Sequence, residues 1–117
     1  MKRPDGWIRE RPDIPDKTSI LIWHVFQGVL VCRAAEWNQN RFFACWRPVP
    51  EIGWTMATDR RPTKQDADSY NCVLARDAEG MTKVTGWHQF ETNRHLIRWM
   101  NTPEPPEDYK ELRTKHY

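Results

Sequence analysis

The chain has 117 residues, 29% charged and 38% hydrophobic, with 18 basic and 16 acidic side chains and a formal net charge of +2. That length suits one domain with a modest core, and seven tryptophans exclude the aromatic-poor composition of a disordered chain. The near balance of charge excludes an acidic mimic of DNA and argues against a nucleic-acid binder driven by counterion release.

The chain starts Met-Lys-Arg-Pro-Asp with no apolar stretch behind it, so no signal peptide is expected. No apolar run reaches the length of a membrane span. With three cysteines (Cys32, Cys45 and Cys72) and no C-x-x-C pair, neither a disulfide framework nor a cysteine zinc site is expected. These features predict a cytoplasmic protein with reduced thiols.

Gly6-Trp7 opens a polar, proline-containing stretch. Residues 19–26, SILIWHVF, predict a strand, apolar at both alternations and so buried on both faces. Gln27-Gly28 predicts a two-residue hairpin turn and residues 29–37 the return strand. Asn38-Gln39-Asn40 predicts a turn, and residues 41–47 a third strand ended by Pro48 and Pro50.

Gly53-Trp54 then starts the same order again. Residues 55–69 form the longest predicted loop, with the densest basic stretch at Arg60, Arg61 and Lys64. Residues 70–76 predict a strand, DAEG at 77–80 a loop and residues 81–90 the return strand. Residues 94–101 suit either a strand or a helical turn. Pro105-Pro106 followed by Glu107-Asp108 predicts a short helix over 106–113.

Landmarks therefore recur in order. Trp7, Pro12, the apolar run at 20–23, Gly28, Trp37, Trp46, Pro48, Pro50 and Glu51 are matched by Trp54, Pro62, the run at 72–75, Gly80, Trp87, Trp99, Pro103, Pro105 and Glu104. This predicts a tandem duplication: copy one over 6–52, copy two over 53–108 and a tail over 109–117. Copy two is stretched in its first loop and again before Trp99. The predicted fold is mainly β, with α+β as the alternative. It has two three-stranded antiparallel meanders, packed as one pseudo-twofold domain, and a short C-terminal helix.

The sequence resembles a family of small phage and prophage proteins of unknown function that end in a Trp-Met-Pro-x-Pro-x-Pro-Pro phrase. The match is best at Trp99-Met100-Asn101-Thr102-Pro103-Glu104-Pro105-Pro106. Copy one matches at Trp7, Leu21-Ile22-Trp23, Gly28, Trp37 and Trp46, with Arg47 where methionine is usual. The resemblance implies a phage or mobile-element origin and a small β-rich fold; it carries no catalytic residue.

No P-loop, G-x-G-x-x-G or G-x-S-x-G motif is present. His24, His88, His95 and His116 do not form metal-ligand pairs, so no metal and no cofactor is expected. The cysteines lie in apolar strands and read as small buried hydrophobes. No catalytic residue is assigned and the chain is not expected to be an enzyme.

The candidate partner-binding residues are Trp7, Trp54, Arg60, Arg61, Lys64, Arg94 and Arg98. Trp7 and Trp54 precede polar loops, and exposed tryptophan beside arginine is the usual make-up of an interface hot spot. Together with the resemblance, this predicts a binding protein that inhibits a bacterial host defence protein in the host cytoplasm, as anti-CRISPR proteins do, by occupying a functional surface. One alternative is sequestration of a small nucleotide-like ligand in an aromatic pocket with Arg33, Arg94 or Arg98. Another is single-stranded nucleic-acid binding, against which the modest charge speaks. An unpaired edge strand leaves a homodimer open.

Overall fold

The computed structural model describes residues 5–115; His116 lies outside them. The chain divides into two compact units. One is built from Met1–Val49 with Glu104–Tyr117, the other from Pro50–Pro103.

In the first unit, β1 (Ser19–His24) lies at the centre of a three-stranded antiparallel sheet, between β2 (Gly28–Arg33) and β3 (Phe43–Pro48). The strands and their antiparallel pairing are as expected. The order is not that of a simple meander, in which the second strand would be central. The reason lies in β1 itself: Ile20 to His24 are all buried, and a strand apolar on both faces gains most from the middle place.

The hairpin loop is Val25-Phe26-Gln27, one residue longer than expected. His24 pairs with Gly28, and Gly28 takes a φ of 77°, the left-handed value that a three-residue hairpin needs at its end. The return strand stops at Arg33, short of residue 37. There Ala34 N–H turns to the carbonyl of Thr18, and Ala34–Gln39 form a 3-10 helix. One face of the sheet packs Ile20, Ile22, Cys32 and Trp46 with Trp37 and Phe43. On the other, Trp23 meets Trp7 edge-on at 6.2 Å and Tyr109 at 6.1 Å. Tyr109 opens the C-terminal helix α1 (Tyr109–Thr114), which starts three residues later than expected. Arg113 Nε donates to the Val25 carbonyl.

The second unit holds β4 (Thr55–Met56), β5 (Cys72–Asp77), β6 (Thr82–Gly86) and β7 (Leu96–Met100) in the order β4-β7-β5-β6. Here β5 is flanked by β6 and β7, as β1 is by β2 and β3. The segment that suited strand or helix is β7. A 3-10 helix, Trp87–Glu91, again follows the hairpin.

The correspondence extends to single bonds. Ile8 bridges to Trp46, and Thr55 pairs with Trp99. The register slips between Trp23 and His24 in one sheet and between Arg76 and Asp77 in the other. Trp46 Nε1 donates to the Glu10 carbonyl (2.8 Å), and Trp99 Nε1 to that of Arg60 (2.7 Å). Asn40 Oδ1 accepts the N–H of Phe42, and Asn93 Oδ1 that of His95.

Register thus aligns Leu21 with Leu74, Val31 with Val84, Asn40-Arg41 with Asn93-Arg94, Trp46 with Trp99 and Pro50-Glu51 with Pro103-Glu104, without a gap between them. Two expected matches change. Trp37 corresponds to Phe90, since each is the fourth residue of its 3-10 helix and packs into its own core cluster. Trp87 corresponds to Ala34. The extra length of copy two lies wholly in its first loop, not before Trp99.

His24 and Asp77 also correspond, and both are buried polar residues. His24 Nδ1 accepts the N–H groups of Phe26 (3.2 Å) and Gln27 (3.1 Å); Asp77 Oδ1 accepts those of Glu79 (2.9 Å) and Met81 (3.0 Å). Each caps its hairpin loop, and the chemistry that survives between the copies is an acceptor, not a residue type. His24→Ala removes the acceptor of two N–H groups and is expected to cost about 1–3 kcal/mol. His24→Asn, which keeps a short-range acceptor, recovers part of that loss. Guanidinium titrations of the two variants would show it.

Candidate functional site

Of the expected contact residues, Trp7 is not at the surface. Its side chain is fully buried, packed on Trp23, with Arg47 over its ring at 5.2 Å and its Nε1 donating to the Glu104 carbonyl at 2.8 Å. Gly6 makes this seat possible. Its φ is 87°, and a Cβ there would stand 2.7 Å from the Arg47 guanidinium. A tryptophan before a polar loop read as an anchor for a partner; in the fold it anchors the loop itself.

The other six lie in the second unit. Trp54 is half-buried and donates through Nε1 to the Pro50 carbonyl (2.9 Å). Arg60, Arg61, Lys64, Arg94 and Arg98 are exposed. Arg60, Arg61 and Lys64 share one loop. Arg98 adjoins it through Met56: Met56 pairs with Arg98, and its carbonyl accepts the Arg60 N–H. Arg94 stands on the separate turn before β7, fixed by Asn93.

The basic loop is not a loosely solvated one. Thr63 and Asp66 form a reciprocal capping box around the short 3-10 helix Lys64–Asp66. Arg60 makes a two-pronged contact with Asp66 (3.0 and 3.2 Å) and lies over the Trp99 ring at 4.7 Å. Asn101 Nδ2 donates to the Asp66 carbonyl (2.7 Å), and Thr102 Oγ1 to Asp68 (2.8 Å). Pro62 is buried. The backbone that presents Arg61 and Lys64 is therefore tied at several points to the end of β7.

The Arg60 guanidinium, against the opposing effect of burial and with help from the Thr63 N–H and hydroxyl, holds the Asp66 carboxyl at about 2, well below its ordinary 3.8. A carboxyl lowered by folding supports the fold above its unfolded value, and that support is lost as pH falls through the folded value. The loop should accordingly stay ordered through pH 4 and loosen only toward pH 2. The amide resonance of Thr63, which donates to Asp66 Oδ2 at 2.7 Å, is expected to report that midpoint. A midpoint near 4 would mean that the pair is open in solution.

A second arrangement was not expected. Arg76 of β5 lies opposite Arg98 of β7 in register. The Arg76 guanidinium sits over the Trp54 ring at 4.4 Å, donates from Nε to Thr82 Oγ1 (3.3 Å) and from Nη2 to the Pro50 carbonyl (3.4 Å). Arg98 Nε approaches the Met56 sulfur at 3.3 Å. Sequence reading missed Arg76 because it sits inside an apolar strand; its alignment with Trp23, opposite Cys45 in the other copy, is the signal that would have found it.

Two of the three thiols, Cys32 and Cys72, are shifted away from the thiolate. Burial, and then Glu36, pushes the Cys32 thiol up to about 11; burial, and then Asp68, raises that of Cys72. A nucleophilic cysteine needs the opposite shift. Among the described residues no three His, Cys, Asp or Glu side chains are grouped to hold a metal ion, and no helix is long and apolar enough to cross a membrane. No family model, curated protein or solved structure matches the chain.

Proposed function

We propose that this chain is a non-enzymatic binding protein that occupies a functional surface of another protein through the basic loop of its second unit. The observation that carries this reading is the fastening of that loop. Ordering a contact segment on binding costs free energy, and a loop already held by a capping box, an ion pair and a tryptophan avoids most of that cost. Arg61 and Lys64 project from it with no carboxylate partner among the described residues. Arginine on a rigid support is a common interface hot spot.

The resemblance to phage proteins directs the choice of partner to a host defence protein, blocked by shape and charge in the manner of an anti-CRISPR. The near-neutral charge of the chain favours such specific contact over general attraction to nucleic acid.

The test is an affinity pull-down of the tagged chain from a lysate of a phage-sensitive bacterium, with and without nuclease, read by mass spectrometry. One partner retained in stoichiometric amount after nuclease treatment supports the reading. Partners that vanish with nuclease, or none, overturn it.

A further inference from the structure

Two arginines directly opposite each other on neighbouring strands repel, and a sheet does not gain stability from them. Arg76 and Arg98 stand in that relation, and neither has a carboxylate partner among the described residues. The corresponding pair in the first unit is Trp23 opposite Cys45, both buried. The same place in the same topology is thus filled by apolar core in one copy and by two cations in the other.

The two cations are also held differently from ordinary surface arginines. Trp54, Thr82 and the Pro50 carbonyl fix the Arg76 guanidinium while using only its Nε and one terminal nitrogen. Arg98 engages only its Nε, toward Met56. Both terminal nitrogens of Arg98 and one of Arg76 keep their donors free of hydrogen bonds to the described residues. Pairing in register places the two side chains on one face of the sheet, and the pleat puts Trp99 and Ala75 on the other. This face is therefore distinct from the one on which Arg60 lies over Trp99.

We propose that Arg76 and Arg98, walled by Trp54, form a binding site for a phosphate monoester group. The terminal fork of Arg98 and the remaining terminal nitrogen of Arg76 match the several oxygens of a phosphate, and a phosphate near −2 balances two cations where a single carboxylate leaves one uncompensated. The Thr82 hydroxyl lies within the same set. Arg98 adjoins the partner-binding loop through Met56 but faces away from the Arg60–Trp99 contact, and Arg98→Met leaves Arg61 and Lys64 in place, so failure of the phosphate site and failure of the proposed function are separable.

The test is an NMR titration of the full chain at constant ionic strength, following the arginine Nε–H and Trp54 indole resonances. The probes are inorganic phosphate, adenosine monophosphate and acetate. Saturable shifts with phosphate, at least roughly tenfold weaker in Arg98→Met, are expected from loss of one charge-assisted fork. Arg98 is exposed, so this variant is expected to keep its melting temperature; Arg76→Met is the companion variant. Equal affinity for phosphate and the nucleotide means that the group itself is the ligand, and tighter nucleotide binding means that Trp54 meets its base or sugar. No saturable shift with either phosphate probe, the same shifts in Arg98→Met, or acetate binding as well as phosphate would overturn the proposal.

Discussion

Trp99→Ala is expected to lower the free energy of unfolding by about 3–5 kcal/mol, the usual cost of emptying a buried aromatic site. Trp99 is 2% exposed and packs with Val73, Ala75, Phe90 and Leu96 in the core of the second unit. Its indole also reaches the Arg60 carbonyl and carries the Arg60 guanidinium on its face. The loss is therefore of core packing and of the loop's main fastening together. Trp99→Phe keeps most of the apolar contact but leaves the Arg60 carbonyl without its donor, and should cost about 1–2 kcal/mol. A domain of this size is typically stable by only about 5–15 kcal/mol, so the alanine variant should lose a large share of its stability. Denaturant titrations of the two variants would check the ratio. Equal losses would show that the indole N–H contributes more than the packing.

Asp5→Ala is expected to cost about 2–4 kcal/mol, far more than an ordinary surface carboxylate. Asp5 Oδ1 accepts the N–H of Trp7 (3.0 Å) and Arg9 Nη1 (3.1 Å); Oδ2 accepts Arg9 Nη2 (3.2 Å) and the N–H of Glu107 (2.9 Å). Arg9 reaches on to Asp108 at 2.7 Å. One side chain thus ties the entry of the first unit to the segment that leads into α1. Burial alone would raise the Asp5 carboxyl, but Arg9 and the N–H groups of Glu107 and Trp7 outweigh it and hold the carboxyl at about 2. The sign is that of a lowered carboxyl. Its contribution is complete above pH 4 and disappears as pH falls toward 2. The wild-type chain should lose stability across that window, and Asp5→Asn should lose less there because part of the loss is already taken. Thermal melts between pH 2 and 5 would show converging curves; parallel curves would contradict the assignment.

How far the sequence foretold this architecture differs from element to element. Strand β1 was legible because a run of β-branched and aromatic residues with no break has few other readings. The exits after Trp46 and Trp99 were legible because proline cannot continue a ladder. The 3-10 helix after β2 was missed because Ala34-Ala35-Glu36 follows its strand with no glycine or proline to mark the change; the one after β6 was missed because Gly86, which ends that strand, reads as a place inside a longer return strand. The repeat was visible, but its alignment was drawn through tryptophans, and Trp37 answers to Phe90 because a place in a core selects size and apolarity before identity. Trp7 was assigned to the surface since nothing local shows that its partners are Trp23, Arg47 and Glu104, far along the chain.

The site was half visible. Arg60, Arg61, Lys64 and Arg98 stood out by charge. The stiffness of their loop was also present in Thr63-Lys64-Gln65-Asp66, a capping-box spacing that composition alone does not reveal. Arg76 was hidden inside an apolar run, and only the register that sets it against Arg98 gives it meaning.

In the proposed function the second unit's basic loop, and not its first-unit counterpart, makes the contact. The decisive measurement is a pull-down of three tagged chains side by side from one lysate: the wild type, Arg61→Glu/Lys64→Glu, and Arg11→Glu/Lys17→Glu. All four residues are exposed, so each double variant should fold. The expected result is a nuclease-resistant partner held by the wild type and by the first-unit variant and lost by Arg61→Glu/Lys64→Glu. Retention by that variant, or loss by the first-unit variant alone, would contradict it.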